Sequence, residues 1–175
     1  MGVAGDLFDT LKSLCTLLND ENIDYCLIGG LAVAILAKPR ATEDIDLLIL
    51  IEEQQIPSLV GLLKKRFKII QQKNVMHFKN ATICRTILAS PSDEKGGIVV
   101  VDFLLADHDT YRETLRNPLF LTVDGGKIPV ARPEGLIKMK ELSNRPQDLL
   151  DIAALKEALN DPSDPIPRKT LNLKT

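Results

Sequence analysis

Three aspartates carry the chemistry this chain could perform. Asp44 and Asp46 stand two apart in Asp44-Ile45-Asp46, at the head of an apolar run over 47–50. A strand alternates its side chains, so the two carboxylates share one face while Ile45 and Leu47 take the other. Two carboxylates on one face of a buried strand repel each other and are costly unless a cation lies between them. Magnesium prefers oxygen ligands and often uses one or two carboxylates together with substrate phosphates, so it would remove that cost. Asp102 sits in the middle of a second apolar run, Ile98–Leu105. Buried there without a partner, it would also be costly. Two readings stand: a third ligand meeting Asp44 and Asp46 from a neighbouring strand, or an Asp that caps a loop at a strand end. Upstream, Gly29-Gly30 closes the apolar run Tyr25–Ile28 and opens an alanine-rich segment over 31–37. Glycine lets backbone N–H groups approach an anion closely, and a helix N-terminus favours negative charge. The stretch 25–50 therefore offers a phosphate cradle beside a metal clamp.

The elements that must position these groups read as strand, glycine turn, short helix, loop and strand over 25–50. Ahead of them, 6–22 has Leu7, Leu11, Leu14, Cys15 and Leu18 at helical spacing, which predicts a helix covering one sheet face. A helix over 56–66 carries Leu59, Leu62 and Leu63 and ends in Lys64, Lys65 and Arg66, with Lys68 beyond. Cations suit a helix C-terminus, so this run reads as a solvated end or as a phosphate-contacting patch. Short antiparallel strands follow at 67–70, 75–78 and 81–88, then a polar loop at 90–97. After Ile98–Leu105, a helix over 107–116 would be capped by Asp107 or Asp109. Strands at 120–123 and 127–130 flank Asp124-Gly125-Gly126, a hairpin turn rather than a second phosphate loop. Pro133 opens a helix bearing Leu136, Ile137, Met139 and Lys140. Arg145-Pro146 restarts a final helix over 147–159, with Leu149, Leu150, Ile152, Ala153 and Leu155 expected inward. The expectation is one α/β (α+β) domain over 1–160. Its mixed-sheet core spans about 23–130, helices over 133–160 pack on that core, and 161–175 forms a tail.

Composition narrows the field. With 45% hydrophobic and 26% charged residues, a soluble globular protein is expected. A net charge of −2 and a pI of about 5.7 leave no global basic field to gather nucleic acid, so any such contact must be local. Cys15, Cys26 and Cys84 are scattered through apolar runs without CxxC spacing. They read as small buried side chains in a reducing cytoplasm. No charged leader with an apolar core and no apolar run near ~18 residues occurs, so neither a signal peptide nor a membrane span is expected. His77 and His108 are isolated and read as surface or loop residues. GxGxxG and GxxxxGK[ST] are both absent, which removes the main support for Rossmann and P-loop readings.

Taken in order, the signals become more specific. A strand ends in Gly29-Gly30, a helix follows, Thr42 precedes Asp44-x-Asp46 on the next strand, and Asp102 lies on a later one. This arrangement resembles the nucleotidyltransferase fold of the DNA polymerase β superfamily in its minimal bacterial form. Residues 25–159 look most similar to the AbiEii/AbiGii-toxin-like group. There the pattern "GG…R-x-T-x-D-I-D-L" corresponds to Arg40-Ala41-Thr42-Glu43-Asp44-Ile45-Asp46-Leu47. The segment Pro133-Glu134-Gly135-Leu136-Ile137-Lys138-Met139-Lys140, followed by Arg145, Asp148 and Asp151, is similar to that group's helical lysine and R-x-x-D-x-x-D region.

The resemblance implies a site and an activity. Asp44 and Asp46 would hold magnesium or manganese bridging the phosphates of an NTP substrate. Asp102 would complete the metal site and accept the proton of the attacking hydroxyl. Gly29 and Gly30 would press backbone against the triphosphate. Arg40 and Thr42 would steer phosphates, and Lys140, or as second choice Lys138, would neutralise one. A solvated helix face is the plainer reading of both lysines. Asp148 and Asp151, three apart on a helix, read as structural, pairing Arg145 or capping. One departure stands out: many relatives carry a serine after the glycine pair, where Leu31 stands here. The implied reaction transfers a nucleoside monophosphate from an NTP to an acceptor hydroxyl on RNA or tRNA, a protein or a small molecule. A toxin–antitoxin setting with a cognate antitoxin would follow from the toxin-group likeness. Two alternatives stay open: a degenerate nucleotide-binding or partner-binding module, and a two-metal phosphohydrolase or nuclease.

Overall fold

The apolar runs fold as strands and the amphipathic runs as helices. The computed structural model describes residues 3–39, 41–90, 97–123 and 126–161. In chain order it contains α1 (Val3–Asp20), β1 (Tyr25–Ile28), α2 (Gly29–Leu36) and β2 (Asp44–Ile49). A 3-10 turn (Glu53–Gln55) leads into α3 (Ile56–Arg66), β3 (Ile69–Gln72), β4 (Met76–Phe78), β5 (Ala81–Ala89) and β6 (Ile98–Leu105). The remainder is α4 (Asp109–Arg116), β7 (Leu119–Val123), β8 (Gly126–Val130), α5 (Pro133–Ser143) and α6 (Pro146–Asn160).

The strands form one mixed sheet in the order β3-β5-β6-β2-β1-β8-β7, with β4 also pairing β5. Since β6 takes one edge of β5, β3 and β4 share the other in succession. The centre is what matters for chemistry. β2 and β6 run parallel and in register, Asp46 opposite Asp102. β1 lies antiparallel on the far side of β2, with Ile28 opposite Asp46. β5 lies antiparallel on the far side of β6, with Arg85 opposite Asp102.

Alternation then splits the central strands into two faces. Ile45, Leu47 and Ile49 of β2 and Val101, Phe103 and Leu105 of β6 are essentially inaccessible. Helix α1 packs on β2 and β6, contributing Leu11, Leu14 and Leu18, and α3 packs on α1. The opposite face carries Asp44, Asp46, Asp102 and Arg85. Helix α2 packs on β1 and β2, and α5 and α6 pack on α2. Asn144, in the left-handed region at φ 49°, ends α5 and turns the chain into α6.

Three expectations are corrected. Helix α6 follows the apolar reading only at Leu155 and, half-buried, at Ile152. Asp148, Asp151 and Leu155 are buried, whereas Leu149 and Leu150 are 60% and 66% exposed and Ala153 is exposed. The buried Lys140 ammonium and the exposed Arg145 guanidinium reward the carboxylates enough to bring that face inward, as the site below shows. Helix α4 is capped by His108, whose Nδ1 accepts the Thr110 N–H, and not by either aspartate. His77 is not isolated, since its Nε2 lies 2.9 Å from a Glu53 carboxylate oxygen. The expected polar loop at 90–97, the turn at Asp124-Gly125 and the tail beyond 161 fall largely or wholly outside the described residues. Among the described residues no helix is long and apolar enough to cross a membrane.

Candidate active site

The site is built on one row of four adjacent strands: Arg85 on β5, Asp102 on β6, Asp46 on β2 and Ile28 on β1. Residues in register on neighbouring strands point to the same face, so Arg85, Asp102 and Asp46 converge, and Asp44 joins them two residues earlier. The structure excludes the loop-cap reading of Asp102 and sets it in register with Asp46. Asp102 lies mid-strand and buried rather than at a loop.

The electrostatics show three carboxylates that feel one another. Asp46 is pushed up to about 6, first by burial and then by the charges of Asp102 and Asp44. Burial and Asp102 also raise Asp44, against the pull of Arg85. Arg85 is the cation within the group. Its Nε donates to Asp102 Oδ1 at 2.7 Å and a terminal nitrogen to Oδ2 at 2.6 Å, a two-point fork on one carboxylate. That hydrogen bonding, with the charges of Asp44 and Asp46, holds the guanidinium firmly protonated. Three carboxylates against one guanidinium leave a formal charge of about −2 at the centre.

Sequence reasoning missed Arg85. The signal was an arginine inside the apolar strand run Ala81–Ala89. Such a residue needs an acidic partner. Its partner follows only from the β5–β6 register, which no spacing within the strand reveals.

The glycine pair serves Asp46 directly. Gly29 has φ +68°, and a Cβ built on it would come within 1.9 Å of Asp46 Oδ2. Any side chain there would displace the carboxylate. The Gly30 N–H donates to Asp46, so one anion held at the start of α2 is the protein's own carboxylate. Thr42 turns its hydroxyl to the Asp44 carbonyl at 3.5 Å. Arg40 lies outside the described residues. Leu31 is buried in the core.

A second charged cluster stands beside the first. Lys140 is buried, not solvated as the plain helix-face reading had it. Its Nζ lies 3.1 Å from Asp148 Oδ1 and 2.6 Å from Asp151 Oδ2. Arg145 donates to Asp148 from its backbone N–H and its guanidinium, at 2.9 to 3.3 Å, and the Ser143 hydroxyl adds 2.7 Å. Burial alone would push Asp148 up, but these donors outweigh it and hold the carboxyl below the usual range. Lys140 and Arg145 both act electrostatically on Asp46, so the cluster flanks the acidic row. Lys138 lies elsewhere, 3.4 Å from Glu113 at a separate surface cavity of about 440 Å³.

The donor set suits a hard divalent cation: oxygen ligands only, two of them with raised pKa values, and an uncompensated negative charge. Among the described residues, however, no group of three or more His, Cys, Asp or Glu side chains is arranged to hold a metal ion. Both oxygens of Asp102 are already engaged by Arg85.

No protein-family model and no curated protein matches the chain. Solved structures do. The chain is similar to an antigenic nucleotidyltransferase-like protein from Paracoccidioides brasiliensis, at 24% identity and a TM-score of 0.59, over 86% of this chain and 75% of that one. It is similar to a candidate nucleotidyltransferase from Thermotoga maritima, at 16% identity and 0.56, over 87% and 92%. It is also similar to the lincosamide antibiotic adenylyltransferase LnuA in its lincomycin-bound form, at 18% identity and 0.50, over 88% and 96%. The mixed sheet with its flanking helices is thus a nucleotidyltransferase fold.

Proposed function

We propose that this chain is a metal-dependent nucleotidyltransferase that moves a nucleoside monophosphate from an NTP to an acceptor hydroxyl and releases pyrophosphate. The observation that carries the reading is the row of Asp44, Asp46 and Asp102. They come from two parallel strands, face one side of the sheet and lie beside a glycine turn at a helix start. The likeness of fold to an adenylyltransferase supports it. Asp44 and Asp46, with Asp102, would hold magnesium or manganese, which when bound offsets charge on the attacking and leaving oxygens. Asp102 would take the proton of the attacking hydroxyl. Gly29 leaves room for the Asp46 carboxylate, and the backbone of Gly29 and Gly30 would press against the triphosphate beside it. Arg40 and Thr42 would steer those phosphates from the loop ahead of β2. Lys140 is committed to Asp148 and Asp151, so its part in phosphate neutralisation would be through the field it exerts at Asp46, and the alternative, Lys138, lies beside Glu113.

The working unit would be residues 1–160 in a cytoplasmic setting, with 161–175 appended. The likeness to the AbiEii/AbiGii-toxin-like group favours RNA or tRNA as acceptor and a cognate antitoxin as partner. A protein side chain or a small hydroxylated molecule, as the lincosamide enzyme's name suggests for that protein, is the next choice. A second reading, a nucleotide-binding module without turnover, is favoured by the buried Leu31 and by the Arg85 fork on Asp102.

The test is incubation of the purified protein with magnesium or manganese, each of four labelled NTPs, and total RNA or lysate. Label should pass to one acceptor class from one preferred NTP, and Asp46→Asn should abolish it. Transfer that persists in Asp46→Asn would refute the metal assignment. Metal-dependent NTP binding with no transfer to any acceptor would favour the binding module, and RNA cleavage without NTP consumption would favour the nuclease.

A further inference from the structure

Arg85 belongs to no part of the reaction just described, yet its 2.6 Å contact with Asp102 is matched at the site only by Lys140 on Asp151. Its fork meets both oxygens of Asp102 at 2.7 and 2.6 Å. The two partners are unequally placed. Asp102 is 10% exposed in its side chain and fixed mid-strand, whereas the Arg85 side chain is 39% exposed. If the pair parts, the arginine is the member free to move. It cannot part without a substitute, because three carboxylates would then face one another with no cation among them. Nor can a dication share Asp102 comfortably with a guanidinium in contact with the same oxygens. One cation must replace the other. A guanidinium released beside a triphosphate meets the oxyanion geometry its planar fork matches best.

We propose that Arg85 is the resident counter-cation of the site. It closes Asp102 in the free protein, and it transfers from that carboxylate to the nucleotide's phosphates when a divalent cation arrives with an NTP. The inference rests on the transferase reading above. It makes metal binding conditional on nucleotide. Without the phosphates the arginine has no better partner than Asp102. With them, both cations gain one.

The experiment measures Mn2+ binding from the free-ion EPR signal, with and without a non-hydrolysable ATP analogue. Wild type should bind Mn2+ weakly alone and tightly with the analogue. Arg85→Met should bind Mn2+ alone roughly tenfold more tightly than wild type, and the analogue more weakly by a similar factor. Arg85→Lys, which keeps the charge but not the fork, should fall between them. If Arg85→Met is unfolded without metal, Mn2+ should restore its thermal transition. Failure to do so leaves Arg85→Lys to decide. Equal metal-alone affinity in wild type and in every folded variant would overturn the role of Arg85 while leaving the transferase reading intact. Wild type binding no Mn2+ even with the analogue would overturn both.

Discussion

Replacing Asp46 with asparagine should stabilise the fold while removing the activity. In the folded protein the Asp46 carboxyl is pushed from 3.8 up to about 6, by burial first and then by Asp102 and Asp44. At roughly 1.4 kcal/mol per pKa unit, keeping it ionised costs about 3 kcal/mol relative to the unfolded chain. Some of that returns with the amide. An amide accepts the Gly30 N–H less strongly than a carboxylate, and Asp46 is not fully shut off from water, so Asp46→Asn should recover about 1–2 kcal/mol. For a chain of this size that is roughly 2–8 °C in Tm. The pH dependence gives the cause. Between the unfolded value near 4 and the folded value near 6, the native state binds a proton that the unfolded state does not, so wild-type stability falls as pH rises through this window. Below it the charge is absent from both states and the penalty vanishes. Thermal melts of wild type and Asp46→Asn with EDTA present, at pH 8, 6 and 4, should therefore show the variant ahead at pH 8 and the gap closing by pH 4. A variant less stable than wild type at pH 8, or a gap unchanged at pH 4, would show that the three carboxylates do not strain one another.

Two further outcomes follow from the geometry. Lys140→Met leaves Asp148 and Asp151 without their buried ammonium, and urea unfolding should show a loss of about 3–5 kcal/mol. A loss below ~1 kcal/mol would mean the cluster is supported mainly by Arg145 and Ser143. Gly29→Ala should cost about 1–3 kcal/mol, from φ +68° and from collision with Asp46. In an Asp46→Ala background the collision is gone, so a double-mutant cycle should show the cost shrinking towards the backbone contribution alone.

Much of the fold was legible because its strongest signals are local. The apolar runs of β1 and β6 are bounded by turn residues, and the strands Tyr25–Ile28 and Ile98–Leu105 coincide with those runs. The acidic pair was legible for the same reason, since alternation along one strand decides that Asp44 and Asp46 share a face. What was not legible depends on who stands opposite. Arg85 finds Asp102 through a register set across 17 positions of chain. Helix α6 was misjudged because its leucines were weighed without knowing that a buried lysine waits on the other side. Counting apolar residues treats every carboxylate as a reason to face water, but Lys140 and Arg145 reverse that for Asp148 and Asp151.

The two charged clusters divide the electrostatic work between them. Around Lys140, two cations meet two carboxylates through hydrogen bonds on nearly every oxygen, so that cluster is neutral, satisfied and stabilising chiefly as a unit. Along the β5–β6–β2 row the balance is short by two cations: three carboxylates share one arginine, and two of them are left with raised pKa values. A fold that can build the first arrangement could balance the second with further lysines, and it does not. The residual negative charge is instead kept on a rigid pair of parallel strands, where relaxation cannot relieve it. Strain of that kind persists where something outside the chain relieves it, and on that ground the acidic row, not the neutral cluster beside it, is the part of this molecule we propose as the binding site.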